Sequence, residues 1–391
     1  TDGATSNDGT LSLTFTSSEA TTQFAVDDII VTNGELSGFA ASSSTVYTAT
    51  FTPTEEGATT IDVAANKFTD PVNNNNTAAT TFNWTYDITQ PTMTITSAEV
   101  TDGNTSNDSS LSLTFRSSET TTEFAADDIT VVGGDLSSFT GSGTTYTATF
   151  TPTTSGATTI DVAANKFTDP GSNTNTAAST FNWTYDGTAP TMAITAAEVT
   201  DGATSNDGTL SLTFTSSKAT TDFAVDDITV SGGALSGFVA SSSTVYTATF
   251  TPTTSGVTTI DVAGGTFLDA AGNNNAAAST FNWTYDGTAP TIAITSAEVT
   301  DGDTSNNGTL SLTFTSSEAT TQFAANDITV VGGTLSSFSA SSSTVYTATF
   351  TPTTSGATTI DVAGGTFTDT VGNNNTAATQ FNWTYDTTAP T

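Results

Sequence analysis

Residues 190–286 read PTMAITAAEVTDGATSNDGTLSLTFTSSKATTDFAVDDITVSGGALSGFVASSSTVYTATFTPTTSGVTTIDVAGGTFLDAAGNNNAAASTFNWTYD, and the apolar residues of this stretch recur with a period of two. That period is the mark of strands, because successive side chains of a strand point to opposite faces. Strands are expected at Met192 to Val199, Leu210 to Ser216, Ile228 to Val230, Val245 to Thr251, through Ile260 and Val262, and at Thr280 to Tyr285. Phe281, Trp283 and Tyr285 share one face and form the largest apolar contribution, the expected centre of a core. Turn chemistry separates the runs, at Asp207-Gly208, Gly232-Gly233, Pro252 to Gly256 and Gly272 to Asn275. About seven short strands in roughly a hundred residues predict an immunoglobulin-like sandwich, and no stretch has useful helical periodicity.

The same pattern occurs four times. Trp84, Trp183, Trp283 and Trp383 are separated by 99, 100 and 100 residues. The unit is too long for a solenoid coil and long enough for a sandwich. The expected fold class is therefore all-β, four tandem immunoglobulin-like sandwiches in an elongated array. The repeats are placed at 1–89, 90–188, 189–288 and 289–388, with 389–391 opening a further copy. Thr1 aligns with Thr200, so the first copy lacks its opening strand, and the piece is expected to come from a longer array.

The 391 residues include 4 Lys or Arg against 39 Asp or Glu, a formal net charge of -35. Such a balance excludes nucleic-acid phosphates and anionic membranes as charge-driven partners and favours cations. No apolar run approaches the roughly 20 residues of a membrane span, so membrane insertion is not expected. There is no Cys and no His. Disulfides, thiol nucleophiles, histidine-assisted nucleophiles and histidine zinc sites are thereby excluded. Paired carboxylates could in principle cut glycosides, but four near-identical copies with short loops argue for length or avidity, and no enzyme is expected.

Threonines such as Thr247, Thr249 and Thr251 fill the outward positions, as suits a solvated pleat. A ranked-threonine ice face would need a flat array, which twisted sandwich strands do not offer. The Asn-Trp-Thr at Asn83, Asn182, Asn282 and Asn382 matches a glycosylation sequon but lies inside an expected strand.

Three motifs carry a family likeness across the whole chain: Phe-Thr-Asp followed by Gly-Asn (Asp369, Gly372, Asn373), the Asn-Trp-Thr-Tyr-Asp strand, and the Asp-Thr-Thr-Ala-Pro-Thr linker at Asp386 to Thr391. In these the chain resembles the bacterial Ig-like repeats that form the stalks of giant secreted surface adhesins and biofilm-associated proteins. The resemblance implies an extracellular spacer at the cell surface, often rigidified by calcium, that holds an adhesive domain away from the cell.

Calcium is also an expectation from the residues. It takes six to eight oxygens from carboxylates, amides and backbone carbonyls. In an immunoglobulin topology the end of the last strand and the loop after the first strand face the next domain, whose own loops face back. The second-to-third boundary is then expected to gather Asp186 with Asp102, Asn107 and Asp108 on one side, and Asp226, Asp227, Asp269 and Asn273 on the other. The linkers, Asp87 to Pro91, Asp186 to Pro190 and Asp286 to Pro290, are short. Carrying these positions through the repeats gives the candidate ligands Asp87, Asp102, Asp128, Asp169, Asp186, Asp201, Asp227, Asp269, Asp286, Asp327 and Asp369. Asp128, Asp227 and Asp327 are chosen over the acid before them because Asp27, Asp127 and Asp226 become Asn326, while the second acid does not vary.

Asp, Asn and Gly are ordinary turn residues as well, so any one of these loops taken singly reads more readily as a plain turn than as a ligand set. The array carries more weight: about nine net negative charges per repeat would leave abutting ends repelling within a Debye length unless a cation intervenes.

Two functions from different classes follow. A spacer of four domains, each about 35 to 45 Å at about 3.3 Å per residue of strand, would reach on the order of 150 Å, its partners being the neighbouring repeats. A multivalent or self-assembling fibre module would instead recognise surface glycans or other copies, and should show exposed aromatics on its loops. Phe24 and Phe39, with Phe124 and Phe139, Phe223 and Phe238, and Phe323 and Phe338, lie outside the clearest strands and decide between the two.

Overall fold

The computed structural model describes residues 1–220 and 222–391. Two compact units, Thr1–Thr188 and Ala189–Thr391, each hold two repeats. The third repeat shows the architecture, with strands numbered within the domain: β1 (Met192–Ala196), β2 (Thr204–Ser205), β3 (Leu210–Ser216), β4 (Ile228–Ser231), β5 (Gly233–Ala240), β6 (Val245–Pro252), β7 (Gly256–Val262) and β8 (Phe281–Tyr285). One sheet runs β1-β3-β6-β5 and the other β2-β8-β7-β4. All pairs are antiparallel except β2 with β8, where Thr204 and Ser205 run parallel to Thr284 and Tyr285.

The alternation works as the sequence demands. Tyr246, Ala248 and Phe250 of β6 are buried from one sheet, and Phe281 and Trp283 of β8 from the other. Phe250 meets Trp283 edge-on, with ring centroids 6.1 Å apart. The buried indole stays satisfied because its Nε1 donates to Ser205 Oγ at 3.0 Å, which gives the two-residue β2 its purpose. Each of the four repeats has its own apolar cluster built the same way.

Three expectations change. The opening strand stops at Ala196, not Val199, because the chain turns to let Glu198 accept the Ser211 N–H at 2.8 Å. Strand β5 was not expected from the sequence: its register slips between Ser236 and Val239, with Gly237 at φ +62°, so the extra residues break the period of two. Strand β2 is too short to show any period. Among the described residues the domain therefore has eight strands where about seven were expected.

Gly233 opens β5 where a Cβ would run into the Phe250 ring and the Thr251 carbonyl, so glycine is required there by contact, not by turn geometry.

The aromatics outside the clearest strands are core. Phe223 is buried and packs edge-on against Phe238, Tyr246 and Phe267 at 5.8, 4.9 and 5.2 Å. Phe238 lies stacked on Tyr246, and the other repeats keep the arrangement. Among the described residues, no large hydrophobic side chain left exposed is aromatic.

Candidate metal centre

Within each unit, the end of the last strand of one repeat meets two segments of the next. In the first unit Asp87 follows Tyr86, the final strand residue of repeat one. Asp169 lies in the turn after Phe167 of repeat two, and Glu119 lies on the long strand Leu111–Thr121. One carboxylate oxygen from each of Asp87, Glu119 and Asp169 lies within 4.8 Å of the others. The second unit repeats the arrangement with Asp286, Glu318 and Asp369 under the same limit.

Neighbouring hydrogen bonds hold both triads. Asn173 donates its backbone N–H to Asp169 Oδ1 at 2.9 Å and its side-chain amide to the Asp87 carbonyl at 2.8 Å. Asn373 does the same to Asp369, at 2.9 Å, and to the Asp286 carbonyl, at 2.8 Å. One asparagine thus ties the turn of one repeat to the linker of the repeat before it. A second tie comes from the loop after the first strand: Asn7 Nδ2 donates to Asn173 Oδ1 at 3.2 Å, and Asn206 Nδ2 to Asn373 Oδ1 at 3.3 Å. The linker prolines are fixed too, since the Pro91 and Pro290 carbonyls accept N–H bonds from Thr176 and Thr376 at 3.0 Å.

Electrostatically the triads are unbalanced. Burial, then the charges of Asp87 and Asp169, push the Glu119 carboxyl above its ordinary range. Burial followed by Asp286 and Asp369 does the same to Glu318. Asp87 is raised by burial and then by Asp169 and Glu56. Asp369 goes the other way: burial opposes its charge, but the Asn373 bonds outweigh it.

The third repeat departs from this pattern. Where the other copies have Glu19, Glu119 and Glu318, it has Lys218. The Lys218 ammonium reaches Asp269 Oδ2 at 3.0 Å, and Asp269 is 7% exposed. Burial opposes the Asp269 charge, yet the Asn273 N–H and the Lys218 bond bring its pKa down overall. A built-in cation thus neutralises the aspartate that stands next to a glutamate in the second and fourth repeats.

The candidate ligands divide into groups. Asp87, Asp169, Asp286 and Asp369 are brought together in the triads. Asp269 pairs with Lys218. Asp186 closes the last strand of repeat two, where its backbone N–H bonds the Ser106 carbonyl at 3.0 Å. Asp128, Asp227 and Asp327 stand outside the triads: each closes a three-residue helical turn by accepting the N–H of Ala125, Ala224 or Ala324 at 2.8 to 2.9 Å. Their constancy among the copies is explained by this cap. Asp102 and Asp201 accept the N–H groups of Asn182 and Asn282 at 2.6 and 2.7 Å, fastening the loop after the first strand to the last strand. Glu119 and Glu318 were missed by the sequence reading. The available signal was the single charge reversal among four copies at Glu19, Glu119, Lys218 and Glu318.

Three carboxylates, with amide and backbone carbonyls close by and no nitrogen or sulfur ligand, are chemistry for a hard cation such as calcium. Uncompensated carboxylates also make stability depend on pH. A carboxyl whose pKa rises on folding favours the folded state when protonated. That contribution is complete below the ordinary values of 4.5 for Glu119 and Glu318 and 3.8 for Asp87, and it is lost as pH rises through the raised folded values. In chelator the chain is expected to melt higher at about pH 5 than at about pH 7, and Glu119→Gln with Glu318→Gln to flatten that difference. Thermal melts across this range check it; a melting temperature that falls on acidification would contradict it.

Tandem immunoglobulin-like sandwiches with carboxylates gathered where one repeat follows another are the class that the fold and the site define. The chain belongs to the bacterial Ig-like domain family, whose model matches residues 1–86, 87–185, 186–285 and 286–385. No curated relative matches the chain. Among solved structures it is similar to the Escherichia coli adhesin FdeC, at 14% identity over 76% of this chain and 98% of that one, with a TM-score of 0.34. It is also similar to invasin, a bacterial integrin-binding protein, at 13% identity over 98% of this chain and 77% of that one, TM-score 0.37. InvD of Yersinia pseudotuberculosis shows 14% identity over 78% of this chain and all of that one, TM-score 0.32. The family assignment rests on the four repeat matches. Among the described residues, no helix is long and apolar enough to cross a membrane.

Proposed function

We propose that the chain is a spacer segment of an extracellular bacterial surface adhesin, with calcium held at the acidic triads stiffening successive repeats. The carrying observation is that Asp87, Glu119 and Asp169, and again Asp286, Glu318 and Asp369, bring carboxylates of two successive repeats within 4.8 Å. In the proposal each triad holds one ion, whose positive charge supplies what the carboxylates lack. The Asn173 and Asn373 bonds orient one carboxylate of each triad, Asp169 or Asp369, and hold the backbone carbonyl of Asp87 or Asp286 beside it before any ion arrives.

Inward-facing aromatics support a spacer over a loop-based glycan binder, because the phenylalanines that could have formed a binding face are packed in the cores. The proposed role is non-catalytic: each of the four repeats spends its large side chains on its own core.

Small-angle scattering and thermal melting, in millimolar calcium and then in excess chelator, test this reading. Calcium should lengthen the particle and raise its melting temperature, and Asp369→Ala should remove part of both effects. Identical scattering and melting in the two conditions would refute the calcium role.

A further inference from the structure

The segment Ser-Asn-Asp recurs at 6–8, 106–108 and 205–207, whereas the fourth repeat reads Ser305-Asn306-Asn307, followed by Gly308. In the first three repeats this segment ends a relay. The indole Nε1 of Trp84, Trp183 or Trp283 donates to the serine hydroxyl at 3.0 to 3.1 Å, and that hydroxyl donates to the aspartate Oδ2 at 2.7 to 2.8 Å. In the fourth repeat Trp383 still donates to Ser305 Oγ, at 3.1 Å, but Asn307 Nδ2 donates to the same oxygen at 3.0 Å. A carboxylate accepts a shorter and stronger bond than a neutral amide can. The relay of the fourth repeat therefore ends on the weakest group of the four.

The backbone around Asn307 is open. Asn307 is half-buried and Gly308 exposed, and both lie between the strands Thr304–Ser305 and Leu310–Ser316, in neither. A Cβ added at Gly308 would meet nothing within 4 Å, and the second repeat carries Ser109 at this position. The chain has another Asn-Gly pair, Asn33-Gly34, whose surroundings are the opposite. Asn33 sits at φ +55°, and its Nδ2 donates to the Glu55 carbonyl at 2.8 Å. Gly34 opens the strand Gly34–Ala41 opposite Pro53, with the Phe51 ring filling the space that a Cβ would need. One pair is free to bend, and the other is locked into a sheet.

We propose that Asn307-Gly308 is a self-modification site, at which the fourth repeat converts its asparagine to the acid that its siblings carry. The Gly308 backbone nitrogen attacks Asn307 Cγ, and the new C–N bond closes a succinimide ring. The side-chain nitrogen leaves as ammonia, taking the proton that the Gly308 nitrogen gives up. Water then opens the ring. Cleavage of the Cγ–N bond gives aspartate, whose carboxylate accepts the Ser305 hydroxyl proton as Asp8, Asp108 and Asp207 do in their repeats. Cleavage of the backbone C–N bond gives isoaspartate, which lengthens the main chain by a carbon. The whole conversion consumes water, releases ammonia and adds a negative charge to the fourth repeat, with no change of oxidation state. The inference is independent of the calcium reading.

The test incubates the whole 391-residue chain in mildly alkaline, oxygen-18-labelled water and follows both Asn-Gly pairs by mass spectrometry of proteolytic peptides, with the urea-unfolded chain as the reference. The unfolded chain is expected to convert at both pairs. In the folded chain Asn307 should take up label and release ammonia, with aspartate and isoaspartate as the products. Asn33 should convert at least on the order of tenfold more slowly, because a hydrogen bond and a sheet pairing must first break. Gly308→Ser, which copies the second repeat, is expected to slow conversion at Asn307 without lowering the melting temperature. Asn307→Asp, which installs the product directly, should raise the melting temperature of the fourth repeat by about 4–8 °C. An Asn307 that stays intact in the folded chain while the unfolded chain converts overturns the proposal. So do equal rates at Asn33 and Asn307 in the folded chain, or an Asn307→Asp variant that melts no higher than the parent.

Discussion

Trp283→Ala is expected to destabilise the third repeat strongly while leaving its siblings unchanged. Trp283 is fully buried, packs edge-on to Phe250 and tilted against Tyr285 at 5.5 Å, and anchors β2 through Ser205. Truncating a buried Trp to Ala costs about 3–5 kcal/mol. The indole's departure also leaves the Ser205 hydroxyl without this donor. A domain of this size has roughly 5–15 kcal/mol in total, so the change removes a large part of it and lowers that repeat's melting temperature by on the order of 15–25 °C. Because every repeat has its own apolar cluster, calorimetry should show about one quarter of the unfolding enthalpy moving to the lower transition. An equal fall in all transitions would mean that the repeats melt as one body, which the separate cores do not predict.

Much of this fold could be read from alternation alone. Phe281, Trp283, Tyr246, Ala248 and Phe250 fall inward where a period of two places them, because each strand has one face toward the core and one toward water. The reading failed where that condition failed. Strand β5 carries an irregularity that shifts its phase, and β2 is two residues long. The site was legible in part. Asp87 and Asp169 follow from topology, since one ends a domain and the other lies in a loop facing it. Asp128 and Asp227 did not, because an aspartate that caps a turn and an aspartate that faces a cation look alike in sequence. Glu119 and Glu318 belong to a Ser-Ser-Glu segment at the end of a strand region, with no turn signature to mark it. Only comparison among the copies singles them out, through Lys218.

That lysine makes the second large prediction. The proposed calcium uptake requires an unneutralised Glu beside the buried Asp, as at Glu119 with Asp169 and Glu318 with Asp369. The third repeat already supplies an ammonium 3.0 Å from Asp269. Glu318→Lys is therefore expected to abolish calcium uptake at the fourth repeat by copying the pairing of the third. The reverse change, Lys218→Glu, removes the ammonium from Asp269 and is expected to cost the third repeat the stability of that ion pair. Neither change touches an apolar core residue, so the chain should fold in both variants.

The most direct test of the calcium account is a calorimetric titration of calcium into the chelator-stripped, unmodified chain at neutral pH. The account predicts two binding events per chain, one for each triad, falling to one in Glu318→Lys. Absence of calcium-dependent heat in the unmodified chain, or a count unchanged in Glu318→Lys, would contradict it.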